Sequence, residues 1–423
     1  MKHSTLRRVF LAPLGVTLCA SVVTVGLAST ASAAKPGGGG GGGTTSSVDA
    51  KINGSDGPIT VPNGTVAYFS WTSQNVDSCS VVVKIGDMTI HEGSVPLSAT
   101  DIATPPVQFP LSYSFTCTKR RTKVTDSVAV SSVADPSAFA APQPVTIEGY
   151  NGIAMEPFLL RSSPDGQPQY LFFNNSNDPS ADTNIYYATR VDDTTFTYVG
   201  ELPGVNNLDP EKPTSLEAGP TMDDQNQFYY TNLKDYDETF ISTFVGILGA
   251  DGTVTDVQPV DGLAPGIMQW VTMDTGVSPD GNTMYYANAY FDPNSPPGSP
   301  PTEVTMYVAA KTGHATFSKL SNSDTLLAKV NGDNGELNYA ANISSDGLEL
   351  FFTRTSPGAA PQMYVARRTS TTESFSTIQL IVAADGFVEG PTLSDDGKRL
   401  YYHKAIDPVN DPGNFKIYMV TRP

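Results

Sequence analysis

Thr392-Leu393-Ser394-Asp395-Asp396-Gly397-Lys398-Arg399-Leu400-Tyr401-Tyr402 decides the fold. It reads as a short alternating strand, a tight Asp-Gly turn and a second strand ending in paired aromatics; Gly accepts positive φ in such a turn and Asp tolerates it. The unit recurs upstream as Gly276-Val277-Ser278-Pro279-Asp280-Gly281-Asn282-Thr283-Met284-Tyr285-Tyr286 and as Asn342-Ile343-Ser344-Ser345-Asp346-Gly347-Leu348-Glu349-Leu350-Phe351-Phe352. It recurs again as Ser163-Pro164-Asp165-Gly166 before Tyr170-Leu171-Phe172-Phe173. A degenerate copy runs from Pro220 to Tyr230. A third strand follows each pair: Ile185-Tyr186-Tyr187-Ala188, Phe240 to Leu248, Met306-Tyr307-Val308-Ala309, Met363-Tyr364-Val365-Ala366 and Ile417-Tyr418-Met419-Val420. A fourth centres on Phe196, Thr255 to Val260, Phe317 and Phe375. Four antiparallel strands repeated about every fifty to sixty residues are the blades of a β-propeller. The last copy ends after its third strand, so Val145-Thr146-Ile147 is expected to supply the missing one and close the ring without exposed edges. The count is five blades rather than six.

In these copies the pattern S-x-D-G-x-x-L-Y-Y followed by x-I-Y-x-A/V resembles the TolB-type propeller repeat over roughly residues 145–423. That resemblance implies the fold. The family's members include exported binding scaffolds, domains of peptidases and a few polysaccharide lyases, so it fixes no activity.

Upstream, residues 1–33 read as a secretory signal peptide. Lys2, Arg7 and Arg8 precede an apolar run, and Ala31-Ser32-Ala33 offers small residues for cleavage. Residues 34–47 form a tether containing seven consecutive glycines, Gly37 to Gly43, too poor in side chains to bury anything. Export and cleavage leave two cysteines, Cys79 and Cys117, and an even pair outside the cytosol favours a disulfide. Residues 48–133 alternate in short strands, with turns expected at Asn63-Gly64, Gly86-Asp87 and Glu92-Gly93, which suits a β-sandwich. Phe69-Ser70-Trp71-Thr72-Ser73, Ser78-Cys79 and Tyr113-Ser114-Phe115-Thr116-Cys117-Thr118 resemble the Ig-like modules of bacterial exported proteins. The resemblance implies a sandwich pinned by Cys79–Cys117 with Trp71 in its core. Residues 134–144, rich in Pro and Ala, read as a linker. The chain is thus expected to be all-β: an Ig-like β-sandwich, then a five-bladed β-propeller, in the periplasm or outside the cell.

Composition excludes several functions. With 25 Lys+Arg against 43 Asp+Glu and a net charge of −18, the chain lacks the basic footprint that nucleic acid requires. Lys119-Arg120-Arg121-Thr122-Lys123 is too short to supply one. No G-x-S-x-G elbow and no H-E-x-x-H occur. Four histidines, His3, His91, His314 and His403, are scattered along the chain.

One acidic constellation remains. Glu156, Glu217, Asp274 and Glu389 each stand just before the first strand of a blade, in Met155-Glu156-Pro157, Glu217-Ala218-Gly219-Pro220, Asp274-Thr275-Gly276 and Glu389-Gly390-Pro391; the fourth blade has Tyr339 nearby. First strands line a propeller channel, so these acids are candidates for a ring around one mouth. Converging carboxylates can work as general acid and base on a glycosidic bond or hold a cation. The stretch Glu156 to Leu160, with Tyr170 to Phe173 and Ile185 to Thr189, is similar to the first blade of five-bladed glycoside hydrolases, which place an acid at a similar point. The plainer reading is a solvated channel rim. Acidic inserts at 174–184, 291–301 and 407–414 carry Asp178, Asp182, Asp407 and Asp411. They suit solvated turns better than calcium, and no cofactor is required. The sequence therefore favours an exported, non-catalytic binding or scaffold protein taking a protein or polysaccharide ligand, with a glycan-active enzyme as the alternative.

Overall fold

The computed structural model describes residues 45–160, 169–178, 181–206, 216–296, 299–332 and 335–423. The expected signal peptide, most of the expected tether and the expected turn at Ser163–Gly166 lie outside these. The protein is all-β, with a propeller-like ring following a smaller two-sheet unit.

In the ring, the described residues form five antiparallel meanders that follow one another. Their first strands, Met155–Leu159, Glu217–Met222, Trp270–Val277, Leu337–Ile343 and Val388–Leu393, touch in that order, and the last touches the first. The paired aromatics explain the closure. Successive strand residues face opposite sides of a sheet, so each pair divides between two neighbours. Phe172 shares a core with Tyr230, Tyr229 with Tyr286, Tyr285 with Phe352, Phe351 with Tyr402, and Tyr401 with Phe173. All ten rings are at most 2% exposed. A buried aromatic side chain contributes on the order of 2 to 3 kcal/mol.

The repeated Ser-x-Asp-Gly turn has a hydrogen-bond logic. Ser278 Oγ donates to Asp280 Oδ1 at 2.5 Å, Asn282 N donates to the same oxygen at 3.1 Å, and Thr283 N donates to Ser278 Oγ at 2.9 Å. Ser344/Asp346 and Ser394/Asp396 repeat the arrangement. These bonds pull the carboxyl pKa values of Asp280, Asp346 and Asp396 down against burial. In the degenerate copy Asp223 takes the serine position and accepts from Gln225 N and Gln227 N, while Asn226, with φ 63°, stands where the others have Gly.

The closing strand differs from expectation. It starts earlier, at Gln143–Pro144, opposite Met419 and Tyr418 of the last meander; of the expected Val145–Ile147 only Val145 continues it, donating its N–H to Ile417 O at 2.9 Å. Thr146–Glu148 instead runs parallel to Thr195–Thr197 and adds an edge strand to the first meander. Crossing the seam within three residues covers an edge on both sides, and Pro144, lacking an N–H, is tolerated only on such an edge.

In the upstream unit the sheets Ser47–Ile52/Tyr68–Gln74/Ser98–Ala103 and Ile59–Pro62/Thr122–Val133/Leu111–Lys119/Ser78–Ile85/Met88–Val95 share one apolar core. Trp71 is 2% exposed in it, stacks on Phe115 with centroids 4.8 Å apart, and donates Nε1–H to Pro96 O. Glu92-Gly93 lies inside a strand instead of turning. The disulfide Cys79–Cys117 joins directly opposed residues of neighbouring strands. It therefore staples one sheet rather than pinning the two sheets to each other. Thr65–Val66 pairs with Gln379 and Ile378 at the edge of the fourth meander, and Gln379 Nε2 donates to Asn63 O and Asp135 Oδ2. The upstream unit thereby covers one sheet edge of the ring. Among the described residues no helix is long and apolar enough to cross a membrane.

Candidate functional site: carboxylates on the channel bulges

Every first strand of the ring breaks register once, leaving two residues unpaired: Glu156-Pro157, Gly219-Pro220, Asp274-Thr275, Ala340-Ala341 and Gly390-Pro391. The first residue of each bulge has a left-handed backbone, with φ 46°, 61°, 53°, 52° and 65° in that order. Glycine is the natural occupant of such a position. Glu156 and Asp274 occupy it at a cost of about 1 to 2 kcal/mol each, and strain of this kind concentrates at functional sites. The five bulges surround one central void of about 370 Å³, counting the space that opens to solvent. Gly219, Ala340 and Gly390 contribute no side chain beyond Cβ, so Glu156 and Asp274 are the two acids on its lining, beside Thr221, Thr275, Asn342 and Thr392.

Glu156 and Asp274 flank the second bulge. A Cβ placed on Gly219 would lie 3.7 Å from Glu156 Oε2 and 4.0 Å from Asp274 Oδ1. The two oxygens are therefore at most about 8 Å apart, a bound that admits the spacing of paired glycosidase carboxyls, roughly 5 to 9.5 Å. Glu156 is held by two donors: Gly219 N to Oε2 at 2.7 Å and Asn177 Nδ2 to Oε1 at 2.6 Å. Asn177 belongs to the 174–184 insert, so that loop reaches the carboxylate mouth.

Glu389 sits one residue before its bulge, at the position Tyr339 holds in the fourth meander. Its Oε2 lies 3.1 Å from His403 Nε2, and its Oε1 accepts from the Tyr339 hydroxyl. His403 stands directly across the ladder from Glu389, is 1% exposed, and accepts from Glu156 N through Nδ1 at 3.0 Å. The chain Tyr339–Glu389–His403 thus ends on the backbone of Glu156.

Burial, then the charges of Glu156 and Glu389, hold the Asp274 carboxyl well above the usual carboxylate range. Burial also raises Glu156, and the charge of Glu389 adds to it, with the hydrogen bonds from Asn177 and the Gly219 amide opposing. Burial and Glu389 push the Tyr339 phenol up, so it remains a donor. Of the four acids singled out in the sequence, Glu156, Asp274 and Glu389 come together. Glu217 does not join them: it lies two residues ahead of its bulge, is fully buried, and accepts from Asn232 Nδ2 at 3.1 Å. Its charge acts on Tyr230 inside the sheet.

His403 and Tyr339 were not assigned a role from sequence, although Tyr339 was noticed. The signal for the register is the proline that follows the bulge residue. Aligning Pro157, Pro220 and Pro391 puts Glu156 opposite Gly219 and Gly390, whereas aligning the acids shifts Glu217 and Glu389 out of place. Asp407 caps its own turn, accepting from Val409 N and Asn410 N. Among the described residues no group of three or more His, Cys, Asp or Glu is placed to hold a metal ion.

No protein-family profile and no curated protein sequence matches the chain. Among solved structures, it is similar to Zg3597, a family 117 glycoside hydrolase of Zobellia galactanivorans, at 14% identity, covering 68% of this chain and 91% of that one with a TM-score of 0.44. It is similar to the catalytic domain of the GH62 α-L-arabinofuranosidase of Coprinopsis cinerea at 13% identity, covering 68% and 98%, TM-score 0.42. TolB from Acinetobacter baumannii matches at 12% identity over 89% of this chain and 80% of that one, TM-score 0.31. At these identities no activity passes from them to this chain.

Proposed function

We propose that this is an exported five-bladed propeller with an N-terminal Ig-like module, and that it hydrolyses a glycan at the channel mouth. The observation that carries this reading is that two of five equivalent left-handed bulges bear carboxylates, converging on one void that the other three bulges leave open. A rim that only solvates a channel has no need of acids at positions where glycine is less strained. The alternative of a non-catalytic scaffold asks nothing of this placement.

The division of labour follows from the surroundings. Asp274, whose carboxyl is held well above its usual range by burial and by the charges of Glu156 and Glu389, is the acid that gives its proton to the glycosidic oxygen. Glu156, fixed by two N–H donors, acts as the carboxylate and takes a proton from the water that attacks the anomeric carbon. One water is consumed, two hydroxyls form, and solvent returns the proton from Glu156 to Asp274. Glu389, with both oxygens occupied, serves as fixed negative charge. The ligand is a polysaccharide small enough in cross-section at one residue to enter the mouth.

The test is a panel of neutral and acidic polysaccharides scored for both binding and new reducing ends. Glu156→Gln and Asp274→Asn should each lower turnover by roughly 10²- to 10⁴-fold, as loss of a general acid or base does, while binding persists. Glycans that bind without any cleavage by the wild-type chain would return the protein to the scaffold reading.

A further inference from the structure

We infer that His403 is a positioning residue: as a neutral imidazole carrying its proton on Nε2, it latches the strained bulge that presents Glu156, across the seam where the last meander meets the first. Glu156 N is a donor, so Nδ1, 3.0 Å away, must be the bare nitrogen. Nε2 then carries the hydrogen and donates it to Glu389 Oε2 at 3.1 Å. The ring is fixed on its remaining side by the edge of Phe415, with centroids 5.2 Å apart at 85°. Beside it, a Cβ on Gly390 would come within 3.1 Å of Nδ1 and 3.2 Å of Glu156 Cα. That position is kept bare by glycine, and the imidazole and the Glu156 backbone close over it.

The latch has a hydroxyl counterpart one meander earlier, where Thr353 Oγ1 accepts from Gly390 N, the first residue of the next bulge, at 3.2 Å; among the described residues His403 is the one imidazole in this role. Asn174, Thr231, Ala287 and Thr353 hold the place of His403 in the second strands, opposite Met155, Ala218, Met273 and Tyr339. Of the two bulges that carry an acid, only that of Glu156 has a side chain of the preceding meander on its amide by way of an imidazole. Protonating Nδ1, or replacing it by a group with no acceptor there, removes the bond that fixes the left-handed residue. The carboxylate then moves relative to Asp274. This rests on the proposal that Glu156 is the working carboxylate, but the imidazole's state can be read without any substrate.

The experiment has two arms on the full chain. Long-range ¹H–¹⁵N correlation spectra at neutral pH, with the signal assigned by its loss in His403→Asn, should show His403 bare at Nδ1 and protonated at Nε2. A doubly protonated ring, or a proton on Nδ1, overturns the inference whether or not any glycan is cleaved. In the second arm, His403→Asn keeps an acceptor near the Nδ1 site, and His403→Gln keeps only a group near Nε2. On a cleaved glycan, the Gln variant should lose about 100-fold in kcat with little change in KM, the penalty of a displacement of about 1 Å, and the Asn variant should recover most of it. Gln equal to or better than Asn, with both folded, overturns the inference. A wild-type chain that cleaves nothing defeats the hydrolase proposal instead, and the spectra alone then decide the latch.

Discussion

Gly219→Ala and Gly390→Ala form a matched pair of perturbations. Both glycines are first residues of channel bulges, with φ 61° and 65°. Each alanine therefore meets the same left-handed penalty, about 1 to 2 kcal/mol, partly offset by the glycine's greater unfolded-state entropy, about 0.5 to 1 kcal/mol. Their surroundings differ. The new methyl at 219 finds its nearest atoms at 3.7 Å, an ordinary contact, whereas at 390 it meets His403 Nδ1 at 3.1 Å and the Glu156 Cα at 3.2 Å. A Cα and a locked imidazole cannot both withdraw, so overpacking adds about 1 to 3 kcal/mol at 390 alone. Gly219→Ala should cost about 1 kcal/mol and Gly390→Ala about 2 to 4 kcal/mol. In a chain of this size that separates the melting temperatures by roughly 2 to 10 °C. Differential scanning calorimetry of the two variants beside the wild type measures it. Equal shifts would mean that the Glu156 bulge and His403 do not close over Gly390, and the latch would go with them.

Asp274→Asn should stabilise the protein at neutral and alkaline pH. The folded carboxyl titrates above its unfolded value, so its charge costs stability as pH rises through the folded pKa; the gain should vanish in acid, where both states are protonated, and chemical denaturation at several pH values would show it. Glu349 behaves oppositely. Against the upward push of burial, Arg422 and Arg367 hold its carboxyl below the usual carboxylate range, so its contribution is full above the unfolded value and is lost as pH falls through the folded value; Glu349→Gln should cost about 2 to 4 kcal/mol at pH 7 and progressively less as pH falls through that range. Reducing Cys79–Cys117, which closes a separation of 38 residues, should cost about 4 kcal/mol in the upstream unit, read as earlier proteolysis of residues 48–133. A chain beginning at Pro142 should melt higher than one beginning at Asn151, because Gln143–Pro144 and Thr146–Glu148 cover both sides of the seam; equal melting would refute the closure.

The repeat was legible because its turn is built from local chemistry. Ser, Asp and Gly within four residues make their own hydrogen bonds, and the paired aromatics must face two sides of a sheet wherever the sheet lies. The disulfide was legible from cysteine number alone, an even pair in a chain read as exported, but not its place between adjoining strands of one sheet. The channel was only half legible. A bulge inserts one residue and shifts everything before it, so acids that look aligned along the chain, Glu217 and Glu389, are displaced from Glu156 and Asp274 in space. The His403 latch was hidden altogether, because it bridges residues 247 positions apart and depends on which ladder partner faces the seam. The closing strand was only partly legible: Val145 belongs to it, but the edge role of Gln143-Pro144 comes from the geometry of the seam rather than from apolar alternation.

The account's central claim is that Glu156 and Asp274 work on one glycosidic bond, and the direct measurement is a crystal structure of Glu156→Gln bound to an oligosaccharide from the panel. The account predicts a sugar ring in the channel mouth with its glycosidic oxygen within about 3.2 Å of the Asp274 carboxyl, hydrogen-bond reach for a general acid, and residue 156 on the opposite side of the anomeric carbon. An oligosaccharide lying elsewhere on the propeller-like ring, with no glycosidic oxygen near Asp274, would contradict it.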